Sequence, residues 1–116
     1  GSEPVERLVG LLASLADQTI GIAYNPSNLV ISDCYTEDGI ASCASRTLVV
    51  AARDAVRDLS RGRGVDVPLG RGSVDFPLIL GKLEEQRYAG WYIVDRINSQ
   101  DAIGEIGNAI QYLRAL

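Results

Sequence analysis

Three short apolar runs, residues 19–24 (TIGIAY), 47–53 (TLVVAAR) and 91–95 (WYIVD), alternate with stretches of helical periodicity, and this alternation constrains the fold more than any other feature. Before the first run, Val5, Leu8, Val9, Leu12 and Leu15 recur at helical spacing behind Pro4, a residue suited to a first turn. Asn25-Pro26-Ser27-Asn28 reads as a turn, and Thr36, followed by Glu37 and Asp38, is placed to cap a short helix to about Ser45. Residues 54–74 hold Gly62, Gly64, Pro68, Gly70 and Gly72 and read as one long loop of the kind that often bears function. Asp75 caps a helix whose stripe is Leu78, Ile79 and Leu83, and Tyr88-Ala89-Gly90 ends it. Ser99 opens a last helix whose seam, Ile103, Ile106, Ile110 and Leu113, is expected to be core.

The resulting order, α-β-α-β-α-β-α, predicts an α/β fold with three parallel strands and right-handed crossovers. Three consecutive strands joined in this way put every helix on one face of the sheet. Alternation assigns Gly21, Ala23, Asn25, Val49, Ala51, Arg53, Trp91, Ile93 and Asp95 to the face left uncovered. Both outer strands also keep unpaired backbone groups. A sheet of this kind needs a partner, and the expectation is a homo-oligomer in which copies cover one another.

At 116 residues the chain has the length of one domain, and Gly1-Ser2 resembles the scar of a cleaved tag. Eleven basic against fifteen acidic residues give a net charge of −4, which argues against nucleic acid as a partner. No apolar run approaches the roughly 18 residues of a membrane helix, so the expectation is no membrane partner and a cytoplasmic location. The absence of histidine excludes a His-containing triad or His metal site within this chain. Cys34 and Cys43 lack the spacing of a zinc or redox pair and read as reduced thiols.

Four ordered segments carry a resemblance over nearly the whole chain. Residues 24–29 (YNPSNL) look like a strand ending in Asp-x-x-His, and residues 51–54 (AARD) look like a His-x-Lys-Asp strand end. Residues 68–76 (PLGRGSVDF) resemble a Gly-rich segment that introduces a helix, and residues 88–95 (YAGWYIVD) a Tyr-Gly strand start ending in a metal-binding glutamate. Together they resemble the sugar phosphate isomerase/epimerase family, the xylose isomerase-like (β/α)8 TIM barrels, in their C-terminal part. The resemblance implies a partial barrel, completed here by oligomerisation. It also implies a divalent metal held by Glu, Asp, His and Glu that polarises a sugar hydroxyl and carbonyl.

The expected ligands are replaced. Asn25 stands for Asp, Ala51 for His and Asp95 for Glu, and the first glutamate would lie on a strand before residue 1. Asn is a poorer ligand for a hard cation and Ala supplies none, so no metal is expected. Asp95 is the one remaining carboxylate and the candidate catalytic residue. Asn28 replaces a substrate-contacting His, and with Asn25 it is suited to hydrogen-bond a sugar hydroxyl. Arg53 and Arg57, nearest the strand end among Arg53, Arg57, Arg61, Arg63 and Arg71, read either as an anion clamp or as members of Arg–Asp pairs in a solvated loop. Trp91 reads as a stacking surface for a sugar or as ordinary packing. Three functional readings stay open: a barrel fragment without catalysis of its own, a noncatalytic sugar or sugar-phosphate binding module, and part of a metal-dependent isomerase whose other ligands lie upstream.

Overall fold

The computed structural model describes residues 4–15, 20–58, 63–96 and 99–116, without the side chain of Arg63. In chain order the elements are α1 (Val5–Ser14), β1 (Ile22–Tyr24), α2 (Pro26–Ile31), α3 (Gly39–Cys43), a 3-10 turn (Ala44–Arg46) and β2 (Thr47–Ala51). There follow β3 (Asp54–Asp58), β4 (Arg63–Val67), α4 (Phe76–Glu85), β5 (Trp91–Ile93) and α5 (Ala102–Arg114).

The three apolar runs form one parallel sheet in the order β1-β2-β5, as the alternation requires. Tyr24 pairs with Val50 and Val50 with Tyr92, while Ala23 pairs with Val49 and Val49 with Trp91. Thr19, which the first run includes, lies outside the described residues. One face of the sheet is covered: Ile22, Tyr24 and Val50 are buried against Ile40 and Cys43 of α3 and Phe76, Ile79 and Leu83 of α4. The other face carries Ala23, Val49, Ala51 and Ile93, and no helix closes it among the described residues.

The stretch expected as one long loop differs most. Residues 54–67 contain an antiparallel hairpin, β3 with β4, in which Val56 faces Val65 and Ala55 faces Asp66. Only Val65-Asp66-Val67 of β4 shows the two-residue alternation of a strand, and the neighbouring glycines obscure it in the sequence. The hairpin packs on α2, and Gly64 permits the approach, since a Cβ there would lie 2.7 Å from the Cα of Ile31. Only residues 68–75 remain as connection to α4.

Several helix starts also shift. Asn25-Pro26-Ser27-Asn28 is the first turn of α2, with Asn25 at the N-cap and Pro26 at N1, so its turn chemistry starts a helix. Asp38, not Thr36, precedes α3. Asp75 caps α4 as expected, its carboxylate accepting from the Leu78 amide at 3.0 Å. Asp101 caps α5 by accepting from the Gly104 amide, and the Ser99 hydroxyl sits one step earlier, accepting from the Asp101 amide. The seam of α5 is core only in part: Leu113 packs against the core, whereas Ile103 is 89% exposed and Ile110 is exposed, and Ala109 is the residue that α5 buries. A helix with little of the fold against it cannot bury the stripe its sequence offers.

Candidate functional site

The C-terminal ends of the three parallel strands converge. Asn25 follows β1 directly, Arg53 lies two residues past β2 and Asp95 two past β5. With Asn28 from the first turn of α2 they line a cavity of about 360 Å³, whose floor is Ala23, Val49, Ala51 and Ile93 of the open sheet face. Small residues on that face leave the room that the polar groups surround. The structure therefore brings together Asn25, Asn28, Arg53 and Asp95.

It does not bring Arg57 or Trp91 to them. Arg57 lies on β3 and donates to the Ile31 carbonyl at 3.5 Å, outside the cavity lining. Trp91 shares the open face but sits lower on it, 78% exposed and beyond the lining. Both departures follow from the hairpin and from strand register, which sequence spacing alone did not fix. Arg61 and the side chain of Arg63 lie outside what is described.

Arg53 stands in an ion-paired network, the Arg–Asp alternative of the sequence reading, with Arg96 and Glu105 as members the sequence did not suggest. Its Nη2 donates to Oδ2 of Asp66 at 3.0 Å, and its Nε stands 3.6 Å from Oδ1 of Asp95. Asp66, on β4, also accepts from the Ser27 hydroxyl at 2.6 Å and from Nη1 of Arg96 at 3.3 Å. Nε of Arg96 donates to Glu105 of α5 at 2.6 Å, and hydrogen bonds from Arg96 and Ser99 hold the Glu105 carboxyl below the usual carboxylate range. The signal for Asp66 was the alternation in residues 63–67 (RGVDV), legible only once those residues are read as a strand. The side-chain oxygen of Asn25 accepts from the Asn28 amide at 3.1 Å, which leaves its NH2 group as donor.

Next to Arg53 in the chain, Asp54 is buried. Its carboxylate accepts from four backbone amides, of Ala55, Gly70, Gly72 and Val74, at 2.8 to 3.1 Å. Residues 68–74 are thereby pinned against the start of the hairpin, and Gly72 is required there because a Cβ would strike that carboxylate. Two further groups lie in the core away from the cavity. Burial pushes the Tyr24 hydroxyl and the Cys43 thiol up from their ordinary values, so both stay neutral. Cys43 is a free, buried thiol, and the Cys34 thiol donates to the Ser32 carbonyl.

The donor set does not fit the divalent metal that the resemblance implies. At the strand ends stand an amide, a methyl group and one carboxylate, and that carboxylate faces the Arg53 guanidinium. Among the described residues no group of three or more His, Cys, Asp or Glu side chains is placed to hold a cation. No described helix is long and apolar enough to cross a membrane.

No family model and no curated protein matches the sequence at a significant level. Solved structures do match the fold. A xylose isomerase domain protein from Planctomyces limnophilus superposes with a TM-score of 0.82 at 20% identity, over 99% of this chain and 43% of its own. A xylose isomerase-like TIM barrel protein from Mycobacterium smegmatis, solved in complex with magnesium, gives 0.74 at 16% identity, over 95% of this chain and 38% of its own. At such identities the likeness shows architecture alone, and the architecture is that of a xylose isomerase-like TIM barrel, of which this chain spans less than half.

Proposed function

We propose that the chain contributes part of a barrel whose mouth binds a polyhydroxylated small molecule, of the sugar or sugar-phosphate class, without a metal of its own. The observation that carries this reading is the convergence of Asn25, Asn28, Arg53 and Asp95 in one cavity at the C-terminal ends of parallel strands. Ligand sites of open and closed α/β sheets lie at those ends, because the loops there vary while the strands stay fixed. Two amides, a guanidinium and a carboxylate supply donors and acceptors in the mixture that hydroxyl groups require. Binding, not catalysis, is the activity, since Asp95 is the one carboxylate in the lining and no second acid or base stands opposite it. Copies of the chain complete the walls by covering the open sheet face.

Isothermal titration of the intact protein with five- and six-carbon aldoses, alditols and their phosphate esters tests the reading. The expected result is saturable heat with at least one of them and a loss of about five- to tenfold in affinity in Asn28→Ala. Absence of both heat and thermal shift across the panel would remove the proposal.

A further inference from the structure

We infer that Arg53 and Asp95 form a hydroxyl-selective pair, held in place by Asp66, that admits a neutral polyol and rejects a phosphate or carboxylate at the same spot. The inference rests on the binding reading above and narrows its ligand class. Arg53 is 12% exposed at its side chain and Asp66 15%, so their 3.0 Å ion pair is largely withdrawn from water. Asp66 Oδ1 accepts from the Ser27 hydroxyl, and Oδ2, which takes Arg53, also accepts from Arg96, which leaves that carboxylate little freedom to follow a ligand.

Arg53 Nε is different. It is buried, it has no hydrogen-bond partner among the described residues, and the nearest acceptor, Asp95 Oδ1, stands 3.6 Å away, beyond hydrogen-bond reach. A buried N–H without a partner is costly unless a ligand or water completes it. Asp95 is 54% exposed at its side chain and so open to a ligand from solvent. The group that satisfies both sides must accept from Nε–H and donate to the carboxylate.

A hydroxyl does both at once. A phosphate oxygen or a ligand carboxylate accepts only, and it would lie against the Asp95 charge with a guanidinium already neutralised by Asp66. Specificity of this sort comes as much from the repulsive element as from the attractive one. Asp66 is accordingly a positioning residue: it touches no ligand and fixes the direction of Nε.

The test is titration of the intact protein with glucitol and glucitol 6-phosphate, extended to the matched xylitol and xylose pairs, in the wild type, Asp95→Asn and Asp66→Asn. The wild type is expected to prefer the neutral member of a pair by about tenfold or more, and Asp95→Asn to erase that preference by strengthening the phosphate ester. Asp66→Asn is expected to weaken the polyol severalfold, and binding of the charged phosphate ester should become salt-dependent as Arg53 is released. A wild type that favours the phosphate ester overturns the inference and leaves the binding reading standing. No binding by either member overturns both. Polyol affinity unchanged in Asp66→Asn refutes the positioning role, and if that variant does not fold, Asp95→Asn, altered at an exposed side chain, decides the pair by itself.

Discussion

Asp54 shows how one residue can tie together two segments distant in the chain. Its buried carboxylate gathers amides from its own neighbour and from residues 16, 18 and 20 positions away, and so closes the connection onto the hairpin. Asp54→Ala leaves those amides without an acceptor inside the protein, and the expected cost is about 3 kcal/mol or more in urea denaturation. Gly72→Ala should be destabilising for the complementary reason, since its Cβ meets the same carboxylate. The aspartate is visible in the sequence as the end of residues 51–54, but its partners are not, because nothing local ties a side chain to amides that far along the chain. The same holds for Asp66, whose neighbours Ser27, Arg53 and Arg96 are contributed by three other segments. Asn25, Arg53 and Asp95 were legible because each sits at a strand end and two-residue alternation alone fixes the side it faces.

Among the elements, α4 and the three parallel strands matched on local signals, whereas the hairpin and the burial of α5 depended on tertiary contacts. Helix α4 has its cap, its proline and its stripe within ten residues, and its side chains fill the core: Phe76, Ile79 and Leu83 are all buried. Ile79→Ala is expected to cost about 2–4 kcal/mol by chemical denaturation, through lost burial and the cavity left behind. Helix α5 has an equally regular stripe, yet burial of a stripe depends on what lies against it. Ile103→Glu should therefore change the stability of the unassociated chain by less than about 0.5 kcal/mol. The hairpin escaped sequence reading for the opposite reason. Its glycines suggest a loop, while Gly64 serves close packing of β4 on α2.

For the whole molecule, the parallel arrangement and the open sheet face follow from element order, and both are present in the structure. Three strands are too few to close a barrel of eight, in keeping with coverage of 43% and 38% of the two neighbouring barrels. An open face bearing Val49 and Ile93, with β1 and β5 unpaired at the sheet edges among the described residues, is expected to drive association. Light scattering coupled to size exclusion should return a multiple of the chain mass, and Val49→Lys should shift it toward the single chain. A wild-type monomer that unfolds cooperatively would contradict association of copies.

The hairpin of β3 and β4 adds a practical consequence. Its second strand contributes Asp66, so the fixed charge that aims Arg53 hangs from an appendage and not from the barrel staves. Exchanging residues 55–67 for another hairpin of equal length should retune which small molecules the mouth accepts while the scaffold stays intact, which makes that excursion the natural place to begin redesign.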